Sequence, residues 1–229
     1  DPVLNSFTDI TAERARARAR AVDAAIAAGQ KVGPLAGVPF AVKNLFDVKG
    51  IATRAGSKIN RDLAASPRDA TLIERMEAQG AVLVGALNMG EYAYDFTGEN
   101  VHDGPSRNPH DIAHMTGGSS GGSGAGVAGG LVPIALGSDT NGSIRVPASF
   151  CGIYGLKPTL GAIPTRGVVP ACRSLDCVSV FATTVDDAHA AFRVMAGLDP
   201  DDPFSRTVPT PPIGALQPAL RIGIPRAAD

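Results

Sequence analysis

The chain has 229 residues, with 21 Lys plus Arg against 22 Asp plus Glu and a net charge of -1 at pH 7. This balance removes the electrostatic ground for binding nucleic acid or an anionic membrane. With 44% hydrophobic and 19% charged residues, the composition is that of a soluble globular domain.

No apolar run reaches the roughly 18 residues of a spanning helix, so no spanning segment is expected, nor a signal peptide at the opening of the chain. Cys151, Cys172 and Cys177 are odd in number and lack a C-x-x-C pair, which predicts reduced thiols and a cytoplasmic protein. The histidines, His102, His110, His114 and His189, show no metal-ligand spacing, so neither metal nor cofactor is expected.

In chain order, the Ala- and Arg-rich stretch from Thr8 to Gln30 predicts a helix ending near Gly29. Val38 to Val48 predicts a buried strand, FAV, followed by Lys43 and a polar turn. Asp69 to Gln79 reads as a helix with Leu72, Ile73 and Met76 on one face, and Ala81 to Leu87 as a buried strand. Met89 to Met115 is polar and bears Gly and Pro, which predicts a long loop with some helical turns.

Gly121 to Gly130 predicts a glycine-rich helix and Leu131 to Leu136 a strand. Thr184 to Met195 is a marked helix, with Thr184 as cap and Asp186 and Asp187 in the first turn. Thr207 to Pro218 reads as a proline-rich linker and Leu220 to Ile224 as a further strand. Alternating strands and helices indicate an α/β domain.

The segment from Met115 to Gly152, MTGGSSGGSGAGVAGGLVPIALGSDTNGSIRVPASFCG, carries the chemistry. Small residues in two successive turns indicate backbone that approaches a ligand closely. Gly124, Gly126 and Gly129 fit G-x-G-x-x-G, but no acid follows about 20 residues on, so a dinucleotide site is disfavoured. Gly117 to Gly121 fits the G-x-S-x-G elbow, which Asp176 or Asp186 and His189 could complete. That elbow needs a buried strand before its serine, and DIAHMT is not one.

GVPFAVKN (Gly37 to Asn44), GGSSGGS (Gly117 to Ser123) and GSDTNGSIRVPASFCG (Gly137 to Gly152) together resemble the amidase signature family. Ser119 and Ser143 stand 24 residues apart, as that family requires. Within it, residues 7 to about 160 resemble the 1-carboxybiuret hydrolases through AGSKINRD, LNMGEYAYDFTGEN and SDTNGSIRVPAS. Thr165 to Ala188 is more similar to allophanate hydrolase.

The resemblance implies an α/β fold with a mixed β-sheet core flanked by helices. Residues 1–229 would then be one amidase signature domain, either the N-terminal half of one or a shortened version, since family members are about twice as long.

The activity implied is hydrolysis of a non-peptide C–N amide bond, on a small carboxylated urea- or biuret-type substrate such as 1-carboxybiuret or allophanate. Ser143 would be the nucleophile, Lys43 the base, and Ser119 the relay between them, in a cis peptide. Backbone N–H groups of Thr140, Asn141, Gly142 and Ser143 would face the oxyanion. Arg173 is the candidate for a substrate carboxylate, its guanidinium matching that group in bidentate fashion, with an ion pair to Asp176 as the rival reading.

Asp139 is expected to hold loop N–H groups, and Arg145 to brace the nucleophile loop. The implied partners are a small amide substrate and either a second copy or a small partner subunit. The alternative function is that of an amidase-like, non-catalytic or amidotransferase subunit that binds a partner protein.

Overall fold

The computed structural model describes residues 1–214 and 223–224. In chain order the strands are β1 (Phe7–Ile10), β2 (Pro39–Lys43), β3 (Val82–Leu87), β4 (Arg107–Asn108), β5 (Asp111–Met115), β6 (Ile134–Asp139), β7 (Tyr154–Leu156) and β8 (Cys177–Ala182). The helices are α1 (Ala12–Ala27), α2 (Thr71–Ala78), α3 (Gly121–Ala128), α4 (Arg145–Cys151) and α5 (Val185–Met195).

Among the described residues, six strands form one mixed sheet in the order β1-β3-β2-β6-β8-β7. The neighbours β3, β2 and β6 run parallel, while β1, β8 and β7 join antiparallel. The fold is therefore α/β with a mixed sheet, as the sequence predicts. Strands β6 and β8 are buried along their whole length, which suits a sheet covered on both faces.

Alternation along β2 sorts the two cores. Phe40 and Val42 pack with Leu72, Ile73 and Met76 of α2 and with Met195 of α5. Ala41 points the other way, against Val127 of α3 and Ile144 and Ala148 beside and within α4. Each large apolar side chain fully buried in these layers contributes about 1.5–3 kcal/mol. The same two-residue period carries Lys43, the last residue of β2, to the face that α3 and α4 cover.

Glycine lets α3 pack this closely. A Cβ on Gly122 would lie 2.5 Å from the Ser6 carbonyl oxygen and 2.7 Å from Asn88 N. Any side chain there would push the helix off the sheet.

Several sequence expectations need correction. The helix expected from Thr8 starts at Ala12, because Phe7 to Ile10 pairs with the edge of β3 as β1. The pairing continues into Thr11, whose N–H donates to the Val84 carbonyl, so tertiary pairing overrides local helix propensity. The loop from Met89 to Met115 holds a 3-10 turn at Glu91–Ala93 and the hairpin β4–β5.

Strands β7 and β8 and helix α4 have no counterpart among the elements expected from sequence. The expected strand at Leu131 to Leu136 begins at Ile134 and runs on to Asp139. The helix at Thr184 forms as expected, with the Thr184 hydroxyl oxygen accepting from Asp187 N at 3.1 Å. Residues 207–214 of the linker have no regular structure, and most of the strand expected at Leu220 to Ile224 lies outside the described residues.

Candidate active site

Strands β2 and β6 are parallel neighbours, so their C-terminal ends open at one edge of the sheet, where α/β proteins tend to place their ligands. Lys43 ends β2 and Asp139 ends β6. The loops that lead into α3 and α4 fold over the same edge. Lys43, Ser119, Ser143 and Asp139 are therefore brought together by topology.

Lys43 is fully buried, and its Nζ donates to Ser119 Oγ at 2.7 Å and to Ser138 Oγ at 3.0 Å. No carboxylate pairs with it among the described residues. Burial pushes its ammonium down from 10.5 to about 7, against the charges of Asp139, Asp95 and Asp176, which favour protonation. A lysine in that range supplies a neutral, basic amine near neutral pH.

Ser119 is buried, and the Gly118–Ser119 peptide bond is cis. Its carbonyl accepts from Gly90 N at 3.1 Å. The preceding residues are clamped alongside another loop: Gly117 N donates to Thr97 O at 3.1 Å, and Gly118 N to Phe96 O at 2.9 Å.

Ser143 meets this segment through backbone, its carbonyl accepting from Ser120 N at 3.3 Å. Among the described residues, no hydrogen bond joins its hydroxyl to Ser119. Ser143 instead lines a cavity of about 230 Å³ together with Tyr94, Asp95, Phe96, Thr140 and Asn141.

Asp139 organises the turn before Ser143. Its carboxylate accepts from Gly142 N at 2.8 Å, Ile144 N at 3.2 Å and Arg145 N at 3.4 Å. Arg145 completes the pair, with Nε at 3.1 Å and Nη2 at 3.0 Å. Burial pushes the Asp139 carboxyl up, but the Arg145 guanidinium and these N–H groups hold it below its ordinary value.

The Gly142 N–H is thus already engaged, which removes it from the expected oxyanion donors. Those of Thr140, Asn141 and Ser143 have no acceptor among the described residues. Thr140 is tied down separately, its hydroxyl donating to Asp176 Oδ1 at 2.6 Å. Asp176 also accepts from Ala171 N and Cys172 N.

The structure does not bring Arg173 into the Ser143 cavity. Arg173 is exposed and lines a neighbouring cleft of about 380 Å³ with Asp47, Arg166 and Asp202. Among the described residues it forms no ion pair, with Asp176 or any other acid. His189, the histidine of the elbow reading, contacts the Pro211 carbonyl at 3.0 Å and shares no hydrogen bond with Ser119 among the described residues.

Ser138 and Asp95 are site residues that sequence reasoning misses. Ser138 carries a weak signal, as a hydroxyl within the GSDTNGS block. Asp95 carries none, because nothing in a polar loop says which residue turns inward. Cys151 is buried, and burial pushes its thiol up to about 12, so it holds no thiolate to compete as nucleophile. No group of three or more His, Cys, Asp or Glu that could hold a metal occurs among the described residues. Likewise, no described helix is long and apolar enough to cross a membrane.

The family model for amidases matches residues 1–228. The chain belongs to the amidase family.

Among its amidase relatives, the AtzE component of 1-carboxybiuret hydrolase from Pseudomonas sp. (strain ADP) is 54% identical over 228 residues, covering 98% of this chain and 50% of the relative. A glutamyl-tRNA(Gln) amidotransferase subunit from Anaeromyxobacter sp. (strain K) is 48% identical over 230 residues, covering 99% of this chain and 46% of the relative. The chain spans about half the length of the curated relatives it matches.

A solved vestigial protein complex, described as revealing the evolutionary origins of an s-triazine catabolic enzyme, superposes with a TM-score of 0.89 at 55% identity. It covers 90% of this amidase chain and 45% of its own. The peptide amidase of Stenotrophomonas maltophilia does so at 0.85 and 35% identity, covering 91% and 43% respectively.

Proposed function

We propose that this amidase hydrolyses a small urea- or biuret-type amide through an acyl-enzyme on Ser143, with Lys43 as base and Ser119 as relay. The observation that carries this reading is the 2.7 Å contact between Ser119 and a buried Lys43 held near neutrality. With Lys43 neutral, the contact reverses and the Ser119 hydroxyl donates to Nζ. In this reading the Ser143 hydroxyl turns about χ1, between staggered wells, toward Ser119.

Ser143 Oγ then attacks the amide carbon while its proton passes to Ser119 and that of Ser119 passes to Lys43. The carbonyl oxygen becomes an oxyanion facing the N–H groups of Thr140, Asn141 and Ser143. Collapse breaks the C–N bond, and the departing amine takes the proton returned along the same path. Water attacks the acyl-enzyme by the same route and frees the acid and Ser143.

The similarity to AtzE supports a carboxylated substrate such as 1-carboxybiuret, and the likeness of Thr165 to Ala188 extends the class to allophanate. Arg173, exposed beside the cavity, is then the group that meets a substrate carboxylate extending outward. A partner protein belongs to the same reading, since both relatives carry the designation of subunits, and the free thiols of Cys151, Cys172 and Cys177 support a cytoplasmic location.

The glutamyl-tRNA(Gln) amidotransferase relatives favour a second reading, an amidotransferase subunit working with a partner protein. Hydrolysis of glutamine only in the presence of a partner would select it.

Intact mass after treatment with a fluorophosphonate tests the activated serine. One adduct that disappears in Ser143→Ala is expected. A folded wild-type chain with no adduct overturns the hydrolase reading.

A further inference from the structure

Resting on that reading, we infer that Asp95 is the specificity-determining group of the Ser143 cavity and receives an N–H donor from the non-scissile end of the substrate. Asp95 lines the same cavity as Ser143, and its neighbours Tyr94 and Phe96 supply aromatic walls. Asp95 is the one charged residue among the described residues lining that cavity.

The loop is built to aim it. Tyr92 and Ala93 both adopt left-handed backbone, φ 49° and 64°, a conformation side chains disfavour and one that clusters at functional sites. The strain is braced from outside, with Tyr92 N donating to Ala55 O at 2.8 Å and Asn60 Nδ2 donating to the Tyr92 hydroxyl at 3.0 Å. Tyr94 closes the other side, its hydroxyl donating to the Ala171 carbonyl at 3.1 Å.

The carboxylate has a lone pair left for one more donor. Oδ1 accepts from Thr97 N at 2.8 Å and Thr97 Oγ1 at 2.7 Å, while Oδ2 accepts from Gly98 N at 2.8 Å. An ionised carboxylate offers about four lone-pair sites, so one on Oδ2 is uncommitted. Oδ2 is also the atom against Gly118, where a Cβ would lie only 2.3 Å from it, and Gly118 immediately precedes Ser119. The free acceptor therefore sits beside the proposed relay.

Charge points the same way. Arg145 neutralises Asp139, whereas Asp95 has no cationic partner among the described residues. A substrate carboxylate entering this cavity would meet a carboxylate that no salt bridge neutralises among the described residues, while a ureido N–H or an ammonium would complete the acceptor. The substrate class is thus an amide whose far end carries N–H donors, with any carboxylate pointing out of the cavity.

The test uses an isosteric pair, 3-aminopropanamide and butanamide, which differ in a terminal ammonium or methyl. For the wild-type chain kcat/KM should favour the ammonium compound on the order of tenfold or more, the scale of a hydrogen bond to a charged group. In Asp95→Asn the ratio should collapse to within about twofold, for the same reason. Any change in Lys43 affects both compounds alike and cancels in the ratio.

A wild-type ratio near one, or equal losses for both compounds in Asp95→Asn, overturns the assignment. Chemical-shift titration of the same two compounds reads the preference without turnover. Preferred ammonium binding, lost in the variant, upholds the Asp95 assignment even if fluorophosphonate labelling fails and the hydrolase reading falls.

Discussion

Lys43 Nζ lies 2.7 Å from Ser119 Oγ in a pocket with no acid within ion-pairing reach among the described residues. That pairing of a buried lysine with a hydroxyl in place of a carboxylate is what lets burial decide its protonation. An adjacent carboxylate would hold the proton on, as opposite charges do.

The pH dependence of the enzyme should report this burial. With Lys43 held near 7, kcat/KM should rise with pH through about 7 as the amine becomes neutral, and Lys43→Met should abolish that limb with the activity. Between pH 7 and 10.5 the unfolded chain binds a proton on Lys43 that the folded chain lacks, so wild-type stability should rise with pH across this window. Lys43→Met escapes the cost of burying the charge. It should unfold at a higher temperature than wild type at pH 7, with the gap narrowing toward pH 10; calorimetry at both values checks this.

Asp139 accepts three backbone N–H groups, so its loss leaves the turn before Ser143 without acceptors. Asp139→Ala should destabilise the chain by about 2–4 kcal/mol, mostly through these unsatisfied donors. The Arg145 side chain is 57% exposed and will simply be solvated. Urea unfolding gives the stability, and the rate of fluorophosphonate labelling should fall with it.

Thr140→Val keeps the shape of the side chain but removes the 2.6 Å bond to Asp176. A stability loss of about 1 kcal/mol is expected. Loosening an oxyanion donor acts on the transition state, so kcat should fall on the order of tenfold with KM little changed. Steady-state kinetics separate the two; a change confined to KM would place Thr140 in ground-state binding.

Gly118→Ala inserts a methyl 2.3 Å from Asp95 Oδ2 and 2.8 Å from Gly98 N. The backbone atom cannot swing away, so a loss of about 1–3 kcal/mol in stability is expected from overpacking. Labelling at Ser143 should drop as the Ser119 segment shifts. A crystal structure of the variant showing an undisturbed Asp95 would contradict this.

Local sequence carried the parts of this protein that depend on short-range chemistry. The cap at Thr184, the apolar period of α2, the buried run of β3 and the small-residue turns around Ser119 and Ser143 were legible because each is specified by neighbouring residues. The resemblance of three separated blocks to the amidase signature family is what pointed to Lys43, Ser119 and Ser143.

What needed the tertiary structure was pairing and burial. Phe7 to Ile10 becomes a strand only because β3 offers an edge, and β8 is a strand because β6 and β7 flank it. The amine of Lys43 approaches neutrality because the fold removes its water. The Gly142 N–H is engaged by a carboxylate at the end of β6, Arg173 lines a cleft separate from the Ser143 cavity, and Asp95 is placed among the residues that line that cavity. Hydrogen-bond partners, desolvation and the direction a loop faces depend on residues distant in the chain, and no local pattern encodes them.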